Sequence, residues 1–162
     1  MNDQDDDGVR RFVERFGVLL TEAGMARTPA RVFACVLAED SGRLTAAELA
    51  ERLHVSPAAI SGAVRYLTQA GMLVREREPG ARRDHYAVHD DVWTDMYASR
   101  LALLRRWEEA MVDGVRLLGT ERPAGRRLDE TREFFAFLQS EVPGMVRRWE
   151  EHKAARASGP SR

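Results

Sequence analysis

No stretch of this 162-residue chain is apolar for long enough to cross a bilayer as a helix, which takes about 18 consecutive apolar residues. Cysteine is nearly absent, and Cys35 alone excludes an internal disulfide. It lies among Val32, Phe33, Val36 and Leu37, the surroundings of a buried and inert thiol, with nothing beside it that favours a thiolate. The start, Met1-Asn2-Asp3-Gln4-Asp5-Asp6-Asp7, is acidic where a secretory leader is basic. These absences point to a cytoplasmic protein without a membrane span. The chain also lacks a phosphate-cradling glycine loop, and no serine or cysteine sits in a nucleophile motif. His54, His85, His89 and His152 are scattered. His85 and His89 are four apart on a strand-to-loop segment, where that spacing does not share a helix face. Asp90 and Asp91 nearby fit a metal or, more simply, a helix N-cap. The expectation is no catalysis, no metal, no cofactor and no enzyme.

Net positive charge is missing too: 25 basic against 26 acidic groups leave −1. The distribution matters more than the sum. Residues 1–42 carry five basic and eight acidic groups, Arg43 to Val88 carry seven arginines and five acids, and the remainder balances. A modest positive field is therefore held in one stretch, and any nucleic-acid binding there rests on local arginines rather than bulk charge. At 162 residues and 44% apolar content the chain suits one core better than two independent domains.

That stretch, Leu44 to Val88, carries the clearest local signals. Thr45-Ala46-Ala47-Glu48 is a capping box, and Leu44 and Leu49 flank it at the spacing of a hydrophobic staple. The helix it opens carries Leu49, Ala50 and Leu53, and His54-Val55 makes the turn that follows, where a left-handed residue is often needed. Ser56-Pro57 opens a second helix, serine as N-cap and proline at the first position. Ile60, Ala63, Val64 and Leu67 recur at helical spacing, and Gly71-Met72 fits a Schellman ending with Met72 against Leu67. The other face holds Ala58, Ala59, Ser61, Gly62, Arg65, Tyr66 and Gln69, with no acid. Gly62 costs about 1 kcal/mol against alanine inside a helix. Close approach to DNA explains that cost, and so does tight packing on a neighbouring helix.

Two strand-like segments follow, Met72-Leu73-Val74-Arg75 and His85-Tyr86-Ala87-Val88, around a turn at Pro79-Gly80. Arg75 and Arg77 precede the turn, and Arg82 and Arg83 follow it. Arginines on a ribbon tip suit a narrow minor groove or its phosphates, although a solvated loop explains a charge run equally well in isolation. A helix pair followed by such a ribbon is the layout of a winged helix-turn-helix, which offers one helix to the major groove and one ribbon beside it. The candidate DNA contacts are Thr45, Ser56, Pro57, Ala58, Ser61, Gly62, Arg65, Tyr66, Arg77, Arg82 and Arg83. Arg65 suits guanine, Ser61 a base edge or phosphate, and Ala58 or Ala59 a thymine methyl.

These residues resemble the MarR superfamily, and within it the GbsR-like branch of bacterial regulators. The resemblance runs through Gly24-Met25-Ala26-Arg27-Thr28-Pro29-Ala30-Arg31, Leu44 to Ala50, Val55 to Ser61, Tyr66 to Val74 and the wing Pro79 to Tyr86. It covers about residues 24 to 90. It implies a homodimer, usually a repressor, sometimes released by a small ligand; GbsR-like regulators include a choline sensor, and some relatives in the superfamily sense redox through cysteine.

Outside the winged helix the chain reads as helical. Val9, Phe12, Val13, Phe16, Leu19 and Leu20 mark an amphipathic first helix that Gly24 ends, and Thr28-Pro29 caps a second with Val32, Phe33, Val36 and Leu37. Trp93, Met96, Tyr97, Leu101, Leu104, Trp107, Met111, Val115 and Leu118 stripe a long helix, Gly119 to Gly125 reads as a loop, and a last helix carries Leu128, Phe135, Leu138, Val142, Met145 and Trp149. Pro143-Gly144 is expected to break or kink that helix. This is more apolar surface than one winged helix covers, and a second copy of the chain would bury the surplus. The aromatic rings read chiefly as a dimer core; Trp93, Tyr97, Trp107 and Phe135 also suit a pocket for a small effector, a quaternary ammonium ion held by cation–π contact being one candidate.

The expected fold is mainly α with a small β-hairpin wing: a helix of the dimerisation region over 1–23, a winged helix over 24–90, dimerisation helices over 91–157 and a disordered tail over 158–162. The expected function is a DNA-binding transcriptional regulator, a homodimeric repressor with double-stranded DNA as partner. The rivals are a ligand-gated sensor and a winged-helix protein-interaction module.

Overall fold

The computed structural model describes residues 3–77 and 83–157. The tail over 158–162, the turn Pro79-Gly80 and Arg82 lie outside the described residues. The chain order is α1 (Asp3–Glu22), α2 (Arg27–Leu37), β1 (Arg43–Thr45), α3 (Ala46–Leu53), α4 (Pro57–Gln69), β2 (Val74–Glu76), β3 (His85–Ala87), α5 (Val92–Leu118) and α6 (Pro123–Ala157). The fold is mainly helical with a small antiparallel sheet. It divides into two compact units, one ending at Trp93 and one starting at Thr94.

In the first unit the core lies between α2, α3, α4 and the sheet. Phe33, Leu49, Ile60, Leu67 and Leu73 are its largest fully buried side chains; the first four fall on the apolar stripes of α2, α3 and α4, and Leu73 lies just before β2. Gly17 lets α1 lie close on α2: a Cβ there would stand 3.0 Å from Cγ of Arg31. Arg31 ties the helices further. Its Nε donates to Glu14 Oε1 at 2.8 Å, and its Nη2 donates to the same oxygen and to the Leu53 carbonyl at the end of α3. Helix α2 differs from its expected start. It begins at Arg27 after Ala26, with no side-chain cap, so Thr28 and Pro29 lie inside the first turn. Proline is tolerated there because the N–H it lacks has no intrahelical partner.

The sheet has three strands rather than the two of a hairpin, in the order β1-β3-β2. The unexpected strand is β1, whose Leu44 lies opposite Tyr86 and Thr45 opposite His85. Three residues ending in an N-cap are too short to announce a strand by alternation.

The second unit is the pair α5 and α6 from Thr94 onward. Contacts at Gly114 with Leu128, Trp107 with Phe135 and Glu108 with Gln139 step in opposite directions, so the two helices run antiparallel. The connecting loop is shorter than Gly119 to Gly125, because Pro123 opens α6 as a first-position proline. Gly125 is already helical and buried, and a Cβ there would stand 1.9 Å from the Gly119 carbonyl oxygen. Helix α6 also continues through Pro143 instead of ending there. Pro143 is exposed, and a carbonyl left without its donor on that face is open to water rather than sealed in a core.

Candidate nucleic-acid interface

The helix-turn-helix is held by caps. Thr45 Oγ1 accepts from the Glu48 N–H at 3.3 Å, while the Glu48 carboxylate accepts from the Thr45 N–H at 2.7 Å. The Thr45 hydroxyl also donates to that carboxylate at 2.7 Å, and this bond, followed by the one from the Thr45 N–H, holds the Glu48 carboxyl below the usual carboxylate range. His54 takes the left-handed conformation at φ 52°, which turns the chain from α3 toward α4. Ser56 then accepts from the Ala59 N–H at 3.3 Å, and Pro57 is the first helical residue. Helix α4 ends in a Schellman motif: the Met72 N–H reaches the Leu67 carbonyl at 2.9 Å, the Gly71 N–H reaches Thr68 at 3.1 Å, and Gly71 has φ 69°.

This framework buries Ile60, Ala63, Val64 and Leu67 and leaves Ser56, Pro57, Ala58, Ser61, Gly62, Arg65, Tyr66 and Gln69 exposed on the rest of α4. That face has no acid. A Cβ on Gly62 would meet nothing within 4 Å, so packing on another helix of this chain does not account for the glycine. Thr45 is placed differently from the other candidate contacts. It is buried, and its hydroxyl and N–H are both engaged in the capping box, so it positions α3 rather than facing outward.

The wing strands β2 and β3 pair with Arg75 opposite Tyr86 and Glu76 opposite His85. Arg83 is exposed. Arg77 is not isolated: its Nε donates to Asp84 Oδ1 at 2.9 Å, and Arg75 donates to Oδ2 of the same carboxylate. Asp84 is the residue that reading along the chain missed. It passes there as one more charge in a turn, and only the strand register brings it between two arginines.

Three of the four expected effector residues, Trp93, Trp107 and Phe135, already have an aromatic neighbour. Trp93 meets Phe33 edge-on, with ring centroids 5.7 Å apart, and Trp107 tilts against Phe135 at 5.6 Å. The Tyr97 side chain lies outside the described residues. A cavity of about 380 Å³ instead lies between α1, α2 and the end of α3, lined among others by Val13, Arg31, Cys35, Arg52 and His54. Burial pushes the Cys35 thiol up, with Arg52 opposing, which favours the neutral thiol. Among the described residues no three His, Cys, Asp or Glu side chains gather as metal ligands, and no helix is long and apolar enough to cross a membrane.

Comparison with known proteins agrees with this architecture. A MarR family model matches residues 23–84, and a model described as MmpR5-like MarR family transcriptional regulator matches residues 91–152. The HTH-type transcriptional regulator MmpR5 of Mycobacterium tuberculosis (strain ATCC 25618 / H37Rv) is 26% identical over 144 residues, covering 88% of this chain and 87% of the relative. A crystal structure of a transcriptional regulator superposes with a TM-score of 0.77 at 26% identity, over 89% of this chain and 99% of the other. The branch expected from the residues, GbsR-like, is thus not the one whose model matches the C-terminal helices. With MarR family matches to the winged helix and to the helices after it, and with a superposition over 89% of its length, the chain belongs to the MarR family of winged-helix transcriptional regulators.

Proposed function

We propose that this regulator is a homodimeric repressor that places α4 in the major groove and the wing on the adjacent backbone or minor groove. The observation that carries this reading is the exposed face of α4: acid-free, lined by small residues, with open space over Gly62. A backbone free of bulk can sit deep in a groove, and the helix N-terminus at Ser56 and Pro57 suits a phosphate. Direct readout is then sparse and rests on Arg65 and Ser61, with Ala58 against a thymine methyl and Tyr66 at the edge. Arg82 and Arg83 supply sequence-independent attraction. The dimer draws support from the exposed apolar side chains of α5 and α6, Trp107, Phe134, Phe137 and Trp149 among them. Two copies would set their α4 helices about 34 Å apart, one turn of duplex.

The experiment is DNA binding across a salt series. Arg82→Ala with Arg83→Ala should weaken binding to every sequence and lower the salt slope by about 2, whereas Arg65→Ala should relax sequence preference. A double variant with unchanged affinity and slope would favour a protein-interaction module instead. A small effector remains part of the reading because of the cavity beside α1. Arg31 is paired with Glu14 and Arg52 with Glu39, and the described lining has Arg10 besides but no phenylalanine, tyrosine or tryptophan ring, so a neutral or anionic occupant suits it better than a quaternary ammonium ion. Choline should leave the melting temperature unchanged; a rise with choline would reverse that choice.

A further inference from the structure

The wing carries its own counter-ion. Continuing the β2–β3 register sets Arg77 opposite Asp84 and puts Arg75 on the diagonal to it, so all three side chains share one face of the ribbon. The carboxylate is divided between them: Oδ2 accepts from Arg75, and Oδ1 accepts from Nε of Arg77 at 2.9 Å. The side chains of Arg75 and Arg77 are 57% and 61% exposed, whereas that of Asp84 is 18% exposed. Two largely exposed guanidinium groups thus share one largely covered carboxylate, which offsets one of their two positive charges. Arg83, the residue just before Asp84, has no acidic partner among the described residues. The hydrogen bond from Arg75 holds the Asp84 carboxyl below its ordinary range, so the clamp stays charged at neutral pH.

A carboxylate gripping two arginines presents them with the oxygen acceptors that a DNA phosphate would otherwise offer. We propose that Asp84 is a specificity-determining residue: it stands in for a phosphate, withholds Arg75 and Arg77 from arbitrary backbone contact, and so lowers non-specific binding. This rests on the reading that the wing meets DNA. An exposed ion pair is weak, so a phosphate held in register by α4 can displace the carboxylate. A phosphate met at random, with no other contact to fix it, competes poorly. The clamp therefore costs affinity everywhere and costs least at the right site.

The test is Asp84→Asn in the full-length protein, measured on an operator duplex selected from genomic fragments and on an unrelated duplex over a salt series. Freeing one or two arginines should steepen the log–log salt slope on the unrelated duplex by about 1 to 2 and raise affinity there roughly tenfold near 0.1 M salt. The operator should gain less, so the specificity ratio falls. Asp84→Asn combined with Arg75→Ala and Arg77→Ala should lose the gain, which separates freed arginines from a general change in wing shape. A slope that stays level or becomes shallower overturns the proposal, because Asp84 would then order the wing rather than restrain it. Arg83→Ala tells the two failures apart. If it weakens binding while Asp84→Asn does not steepen the slope, only the role of Asp84 falls. If Arg83→Ala, Arg75→Ala and Arg77→Ala all leave binding unchanged, the wing is not on DNA and both readings fall.

Discussion

The two compact units are made of similar residues and differ in what they bury. Every apolar side chain buried among the described residues lies at or before Val92. From Thr94 onward none of the described apolar side chains is buried: Trp107, Phe134, Phe137, Met145 and Trp149 are exposed, and Leu117 is 82% exposed. A buried core offsets the conformational entropy of an ordered chain, and a helix pair without one does not. The first unit therefore contains the means of its own stability. The second is a pair of amphipathic surfaces whose stability, on the dimer reading, comes from another copy.

The sharpest way to break this comparison is to cut one unit's core and then the other's exposed rings. Phe33 is fully buried and packs edge-on against Trp93. Phe33→Ala should cost about 3–5 kcal/mol in denaturant unfolding, and a loss below about 1 kcal/mol would mean that the first unit is not the stable body described here. Next comes the triple change Phe134→Glu, Phe137→Glu and Trp149→Glu. A large ring near the centre of an interface contributes about 2 kcal/mol, some thirtyfold in dissociation constant. The variant should sediment as a monomer and lose any dependence of its melting temperature on concentration. If it stays dimeric, or if the parent is monomeric at micromolar concentration, these faces do not form the dimer.

The same contrast explains what was legible along the chain. Caps, turns and stripes in the first unit are local, and the Thr45–Glu48 box, the left-handed His54, the Ser56-Pro57 start and the Gly71-Met72 ending each fall where their residue types place them. What escaped depends on partners distant in sequence. Strand β1 exists because β3 pairs with it, and Asp84 matters because the register carries it to Arg75 and Arg77. Helix α6 passes through Pro143 although local propensity argues for a break. Gly62 is a mixed case: the sequence left two causes open, and the empty space above it removes one.

Within the first unit, stability resting on local bonds should respond to pH. Thr45→Ala removes the cap and should cost about 1 kcal/mol, equally at low and high protein concentration, unlike the α6 triple variant. The Glu48 carboxyl is lowered chiefly by the Thr45 hydroxyl and then by the Thr45 N–H. A carboxyl depressed in the folded state contributes stability that is complete above its unfolded-state value and drains away as pH falls through the folded-state value. The wild-type denaturant midpoint should fall as the solution is made more acidic than the ordinary carboxylate range. Glu48→Gln keeps an acceptor for the Thr45 N–H but has no proton to gain, so it should lie below wild type at neutral pH and converge on it in acid. Parallel curves would mean that the box does not titrate.

The smallest expected effect on stability is also the most discriminating for function. Gly62→Ala adds a methyl group to an exposed helical position with nothing within 4 Å, so the helix should gain about 0.5–1 kcal/mol from the reduced freedom of the unfolded chain. If the glycine exists for close approach to DNA, the same methyl group meets the groove, and operator affinity should fall severalfold while the protein becomes harder to unfold. Opposite signs in the two measurements would place the cause of Gly62 outside the chain, in whatever α4 touches. A variant that gains stability and binds DNA as well as before would remove close approach as the explanation and with it the main support for α4 sitting deep in the groove.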